Sequence, residues 1–245
     1  MLRTALVLAF LVPYALIACP LALLLSMLSG SAGPLYLLSG WGFRGAFRLA
    51  GIRITTEHRE RLGDARNTVL VSNHASHLDA PVLFLALGVP FVALAKREVF
   101  DIPFFSAVIR RAGFIPILRG DRTDAAGAVA RMVAALRAGA CVLVFPEGTR
   151  SRTGELGPFK KGGFLAAVEA GSRLVPVAVH GTRSLMPRHG YALRPGHVVV
   201  SILDPVDAGR YSYSDRDLVI AQVRGRIDQA LTGTGGDPGG ERSVA

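Results

Sequence analysis

From Thr4 to Phe43 the chain carries no Asp, Glu, Lys, Arg or His, an uninterrupted run of 40 positions. Such a run belongs in a hydrocarbon phase or a protein core. Residues 4 to 28 are almost wholly apolar, and ~20 apolar residues in a helix suffice to cross the hydrocarbon layer of a bilayer. Pro13 and Pro20 lie inside this stretch, where they would kink a helix in a way that membrane helices tolerate. Ser29-Gly30-Ser31-Ala32-Gly33-Pro34 then breaks it. A second segment, Leu35 to Ala50, sets Arg44 and Arg48 one turn apart and offers Tyr36 and Trp41 as interfacial anchors. It is expected either to lie flat on a membrane or to return as a hairpin. Arg44, Arg48, Arg53, Arg59 and Arg61 come after the apolar region, whereas Arg3 alone precedes it. The positive-inside bias places the chain beyond residue 50 on the cytoplasmic side of the cell membrane. Leu16-Ile17-Ala18-Cys19 resembles a lipoprotein cleavage box. However, Cys19 is succeeded by Pro20 and more apolar residues, where a processed lipoprotein has a polar tether.

Beyond residue 50 the pattern changes to short apolar strands alternating with helices. Strands are expected at 52–55, 68–71, 91–95, 114–118, 142–145, 175–179 and 198–203. Helices are expected at 78–87, 103–111, 124–138, 163–170 and 215–231. The helix over 124–138 is amphipathic, with Ala125, Val129, Met132, Val133 and Leu136 on one face. Continuous apolar strands between helices predict an α/β domain whose mixed, mostly parallel sheet is covered by helices on both faces. The expected organisation is membrane-anchoring helices over 1–50, the α/β domain over 51–232 and a Gly-rich disordered tail over 233–245. The formal charge of +10 points to an anionic partner. Nucleic acid fits poorly, because no recognition helix, zinc finger or aromatic RNA-binding pattern accompanies the charge. Two cysteines, Cys19 and Cys141, give no disulfide framework.

Two blocks carry the chemistry. Asn73-His74-Ala75-Ser76-His77-Leu78-Asp79 comes directly after one strand and sets a histidine five positions ahead of a carboxylate. A histidine held by a carboxylate is a general base for a hydroxyl proton. Phe145-Pro146-Glu147-Gly148-Thr149-Arg150-Ser151 comes after another strand, and an arginine among backbone amides suits a phosphate. Together they point to chemistry on a phosphorylated alcohol. Ser76 and Asp79 also fit a helix capping box, which is compatible with a catalytic Asp79 because a helix start would hold it still beside His74.

The ordered pair resembles the glycerophospholipid acyltransferase family, which includes 1-acyl-glycerol-3-phosphate acyltransferases. Four family motifs can be placed: Asn73 to Asp79, Gly113 to Arg119, Phe145 to Ser151, and Val175-Pro176-Val177. Lys96-Arg97-Glu98, Ile102 to Phe105 and Phe159-Lys160-Lys161-Gly162 are similar to family segments as well. The chain departs from the common pattern at Pro116 and His77, where aromatic residues are usual, and at Leu118, where an acid is usual. The His-x-x-x-x-Asp spacing is intact.

The resemblance implies a membrane-bound acyltransferase. It would move a fatty acyl group from acyl-CoA or acyl carrier protein to 1-acyl-glycerol-3-phosphate, with no metal and no bound cofactor. His74 is the expected base and Asp79 its partner, with oxyanion donors among the amides of Ser76 to Leu78. Arg119 and Arg150 are expected to hold the acceptor phosphate, in a pocket shaped by Glu147, Gly148 and Thr149. Lys96, Arg110, Arg111, Lys160 and Lys161 are candidate contacts for lipid or CoA phosphates, or plain surface charges. Other readings stay open: a different lysolipid or glycolipid acceptor, or a serine acyl-enzyme on Ser72 or Ser76. A zinc hydrolase built on His74 and His77 and a non-catalytic lipid-binding protein also remain.

Overall fold

The computed structural model describes residues 1–102, 105–118, 122–188 and 190–233. Arg119 and the tail over 234–245 lie outside the described residues.

Helix α1 (Leu2–Ser29) runs through Pro13 and Pro20 and ends on Gly30, whose φ of 67° supplies the left-handed turn that glycine adopts without steric cost. Helix α2 (Gly33–Ala50) then returns antiparallel to it. Close approach depends on two glycines of α2. A Cβ on Gly42 would sit 2.7 Å from the Tyr14 ring, and one on Gly45 would sit 2.6 Å from Phe10. Tyr14 Oη donates to the Leu38 carbonyl across the pair at 2.7 Å. The two helices therefore pack as an antiparallel pair. α1 is the one helix among the described residues long and apolar enough to cross a membrane, and Leu6, Val12, Leu16, Ile17 and Leu24 remain exposed on it.

The rest builds one eight-stranded sheet in the order β1-β7-β6-β2-β5-β3-β4, with β8 beside β6. The strands are β1 (Ile52–Glu57), β2 (Thr68–Ser72), β3 (Val92–Lys96), β4 (Ile115–Ile117), β5 (Cys141–Val144), β6 (Arg173–His180), β7 (Gly196–Ile202) and β8 (Val206–Asp207). Pairings β1–β7, β2–β5, β2–β6, β3–β4 and β3–β5 are parallel. The antiparallel pairings among the described residues are those of β7 and β8 with β6. The sheet is thus mixed and mostly parallel, as the apolar strands predicted.

Alternation along each strand sends side chains to opposite faces. Leu70, Leu143, Val175 and Val177 face α1, α2 and α3 (Asp79–Leu87), whose Val7, Ala46, Val82, Leu83 and Leu87 complete one core. Val69, Val71, Val142 and Val144 face α5 (Arg122–Arg137), α6 (Gly162–Ala170) and α8 (Arg216–Gly233). Met132, Leu136, Phe164, Val219 and Val223 fill that second core. Helix α4 (Phe105–Arg111) and the four-residue helix α7 (Thr182–Leu185) complete the set. β8, α7 and the short 3-10 turns went unread in the sequence because they last two to five residues, too few to establish a period.

Because β2, β3, β5 and β6 are parallel, their carboxyl ends share one edge of the sheet. Ligand sites of open α/β sheets lie beyond that edge. The segments after Ser72, Val144 and His180 all emerge there.

Candidate functional site

Asn73 fixes the departure of the chain from β2. Its side-chain amide donates to the Val179 carbonyl at 2.9 Å and accepts from the Val179 amide at 2.8 Å, extending the ladder between β2 and β6. His74 comes next, partly buried, with Nδ1 2.8 Å from Asp79 Oδ2. Asp79 has no exposed surface. Its Oδ2 also accepts from the Ala75 and Ser76 amides at 2.7 and 2.8 Å, and its Oδ1 accepts from the Thr182 hydroxyl at 2.5 Å. A carboxylate with four donors in a closed site is fixed in place, and Nδ1 must be the protonated nitrogen that faces it. The other nitrogen, Nε2, makes no hydrogen bond among the described residues, so its lone pair is available for a proton.

The capping reading and the catalytic reading of Asp79 therefore coincide: the carboxylate reaches back to the Ser76 amide as a cap while it orients His74. The same bonds correct one expectation. The amides of Ala75 and Ser76 serve Asp79, and that of Leu78 donates to Ser76 Oγ at 3.2 Å. Neither Ser76 nor Leu78 has an N–H left for an oxyanion. His77 supplies the one amide of this turn without an acceptor among the described residues.

The second block is stitched to the first through backbone groups. Glu147 Oε1 accepts from the His74 amide at 2.8 Å, and Oε2 accepts from Gly157 at 3.0 Å. The Ser151 amide donates to the His74 carbonyl at 2.7 Å. The Phe145 ring stacks on the imidazole, with centroids 4.1 Å apart. Glu147 thus fastens the loop that carries His74 through both of its oxygens. Gly148 has a φ of 69°, and a Cβ there would meet the Lys160 side chain at 2.7 Å, so glycine admits Lys160 to this rim.

Arg150 Nη1 donates to the Arg188 carbonyl at 2.9 Å, and Arg188 Nη1 donates back to the Arg150 carbonyl. Arg188 Nη2 lies 3.5 Å from Thr149 Oγ1. No carboxylate pairs with Arg150, Arg188 or Lys160 among the described residues. Beside them the His77 imidazole is held below its ordinary pKa, first by burial and then by the Arg150 charge. Unpaired cations of this kind suit an anion.

The other expected residues fall in different places. Lys96 is exposed at the carboxyl end of β3, on the site's edge. Lys161 is ion-paired with Asp217 at 3.4 Å, and Arg111 donates to Ser26 of α1 through Nε and Nη2. Arg110 stacks over Phe100. Arg110 and Arg111 thus make contacts within the fold, and Lys161 forms an exposed surface ion pair. Ser72 and Ser76 are fully buried and donate to the Asn73 and Met186 carbonyls, so neither presents a nucleophile. No group of three or more metal-ligating side chains accompanies His74 and His77 among the described residues. Burial pushes the Cys141 thiol up to about 12, which leaves it inert.

Sequence reasoning missed Thr182 and Arg188. The available signal for Thr182 was Gly181-Thr182 directly after β6, whose strand end meets that of β2. Gly181 has a φ of 92°, and any Cβ there would collide with the His197 carbonyl. Behind Phe145 lies an apolar cavity of about 170 Å³, walled by Leu94, Val129, Met132, Val144 and Gly163, with Gly148 and Lys160 also lining it.

Residues 53–180 match the family described as Acyltransferase. The chain is 36% identical over 164 residues to a chloroplastic 1-acyl-sn-glycerol-3-phosphate acyltransferase of Arabidopsis thaliana, covering 66% of this chain and 44% of that protein. It is 32% identical over 166 residues to the 1-acyl-sn-glycerol-3-phosphate acyltransferase of Escherichia coli, covering 67% of each. The match therefore spans less than half of the plant relative's length. Its fold superposes on the crystal structure of the 1-acyl-sn-glycerophosphate acyltransferase PlsC of Thermotoga maritima with a TM-score of 0.82. That superposition covers 96% of this chain and 98% of the other at 25% identity.

Proposed function

The chain belongs to the acyltransferase family, and on that footing we propose that it transfers a fatty acyl group to the free hydroxyl of 1-acyl-glycerol-3-phosphate, giving phosphatidic acid. The donor is a thioester, acyl-CoA or acyl carrier protein. The single observation behind this reading is the His74–Asp79 pair at 2.8 Å, with Nε2 unengaged beside three unpaired cations.

In the proposed reaction the acceptor hydroxyl gives its proton to His74 Nε2 as its oxygen attacks the thioester carbonyl. Asp79 keeps Nδ1 protonated and stabilises the imidazolium that forms. The amide of His77 is the donor this turn has left for the oxyanion. Collapse breaks the C–S bond, and the imidazolium returns its proton to the departing thiolate. Every proton is accounted for by His74, so the reaction so read calls for no metal and no bound cofactor. Arg150, with Lys160 and Lys96 on the same edge, receives the acceptor phosphate. The cavity behind Phe145 takes the donor's acyl chain, with Lys160 at its rim to meet the carrier. Helix α1 attaches the protein to a membrane, and the arginines that come after it favour the cytoplasmic face.

The test uses detergent-solubilised wild type and His74→Ala with labelled acyl-CoA, repeated with acyl carrier protein as donor. Acceptors are lysophosphatidic acid, lysophosphatidylcholine, a lyso-ornithine lipid and glycerol 3-phosphate. A positioned general base contributes ~10²–10⁴-fold, and a loss of that order is expected with lysophosphatidic acid. Retention of more than about a tenth of the wild-type rate would remove His74 from the base role. Turnover confined to another acceptor would move the substrate assignment. Lipid binding with no turnover by either protein would leave a non-catalytic lipid binder.

A further inference from the structure

The proposed reaction leaves one neighbour of His74 without a chemical part, the Phe145 ring. Strand β5 pairs with β2 up to Val71 and Val144, so Phe145 leaves the sheet one residue past that rung, alongside the chain that leads to His74. It packs half-buried against the same core as Leu143. Its ring lies over the imidazole with centroids 4.1 Å apart and planes 18° from parallel. A leucine or methionine would fill the same space. What a phenyl ring adds is a face that carries negative partial charge.

The stack covers the imidazole without obstructing either nitrogen. The Nδ1 proton and the Nε2 lone pair both point outward in the ring plane, the first towards Asp79 at 2.8 Å and the second towards the acceptor. Before proton transfer the imidazole is neutral and the stack is a plain contact. Once Nε2 takes the proton, positive charge spreads over the imidazole, well inside the ~6 Å over which an aromatic face attracts a cation. An interaction that strengthens only as the reaction proceeds lowers the barrier instead of tightening ground-state binding.

The surroundings give this face a task. Arg150, Arg188 and Lys160 have no carboxylate partner among the described residues, so a new cation beside them forms against repulsion. Asp79 counters that repulsion at the edge of the imidazole. A second carboxylate over the ring would counter it further, but it would also repel the acceptor phosphate. A phenyl face stabilises the imidazolium and carries no net charge to do so.

We propose that Phe145 is a positioning residue with an electronic role: its π face stabilises the imidazolium that His74 becomes in the transition state, and so raises kcat for acyl transfer. This rests on the reading of His74 as the base.

The test places mono-, di- and trifluorophenylalanine at Phe145 in the full chain, by suppression of an amber codon. The series drains the ring face in steps with little change of shape. With lysophosphatidic acid and acyl-CoA, kcat should fall at each step, by about twofold to thirtyfold across the series. KM for both substrates, the preference among donor chain lengths and the thermal midpoint should keep their wild-type values. Phe145→Leu retains apolar bulk without the face and should lose at least as much kcat as the trifluoro variant. A flat series, the result for a ring that only fills space, overturns the assignment. So does a shift in donor-length preference in step with kcat, the result for a ring that only walls the cavity.

A second readout needs no substrate. In alkylation by iodoacetamide the Nε2 lone pair forms an N–C bond, iodide departs, and the imidazole is left as a cation. The rate of this modification at His74, followed by mass spectrometry, should fall along the same series. A falling alkylation rate with no turnover by the wild type would keep the stabilised imidazolium and sink the acyltransferase reading. His74-dependent turnover with both series flat would sink the role of the stack and leave that reading standing.

Discussion

Thr182→Val removes one hydroxyl and little else. Thr182 is 1% exposed and Asp79 is 0% exposed, so water cannot replace the lost donor to Oδ1. A hydrogen bond to a buried charged acceptor is worth ~1.5–3 kcal/mol, and the folded state should lose about that much. The effect on rate should be smaller than that of losing the base. Oδ2 still accepts from His74, Ala75 and Ser76, and those three bonds keep the carboxylate near the ring. Rotation of the freed carboxyl about its remaining anchors would cost ~1.4 kcal/mol in the transition state, or about tenfold in kcat. Thr182 is therefore a positioning residue, and its signature is a kcat loss with unchanged KM for both substrates. Thr182→Ser keeps the donor and should recover most of the rate, at the cost of a methyl group in the core. The assay is steady-state acyl transfer by purified variants alongside thermal unfolding, with rates taken well below each midpoint. Wild-type kcat in Thr182→Val, or equal losses in the serine and valine variants, would refute the reasoning, since the hydroxyl is what separates them.

Arg188→Ala breaks a reciprocal clamp, because Arg188 holds the Arg150 carbonyl while Arg150 holds the Arg188 carbonyl. The KM for the acceptor should rise about tenfold, consistent with ~1.5–3 kcal/mol for a charge-assisted bond, with donor KM unchanged; an unchanged acceptor KM would show that Arg150 needs no such support. His77 gives a pH signature. Burial and the neighbouring Arg150 lower its folded pKa below the 6.5 of the unfolded chain, so the unfolded state binds a proton first as the pH falls. Relative to His77→Gln, the wild type should be equally stable well above pH 6.5 and progressively less stable below it. Parallel midpoints for the two proteins across that range in a thermal scan would exclude the effect.

The parts legible in the sequence were those that repeat a local rule. Apolar strands between amphipathic helices dictated a sheet covered on both faces, since each strand had apolar residues on both sides to bury. The His74-to-Asp79 spacing was legible because one helical turn brings a carboxylate back over the residues before it. Arg150 stood out by its charge. Glu147 stood out for the same reason, but its part in holding the loop did not. A charged residue in a motif invites a substrate-facing role, but both its oxygens close backbone bonds to His74 and Gly157, and no sequence pattern records which backbone amides a loop leaves unpaired. The contacts of Arg111 and Lys161 were equally hidden. Their partners Ser26 and Asp217 lie far away along the chain and become neighbours only through the fold.

Thr182 and Arg188 were missed because their roles depend on sheet order. β6 pairs with β2, so the turn after β6 must land beside the turn after β2, and the hydroxyl at its start meets Asp79 there. That adjacency also gives the dyad its rigidity. His74 is tied at its amide by Glu147, at its carbonyl by Ser151, at Nδ1 by Asp79 and on its ring face by Phe145. Three of those four ties come from the loop after β5. Sheet registry between β2 and β5 thus sets the imidazole's position. A change in that loop should therefore alter rate before it alters binding, because Nε2, the atom that takes the proton, is aimed by these ties alone.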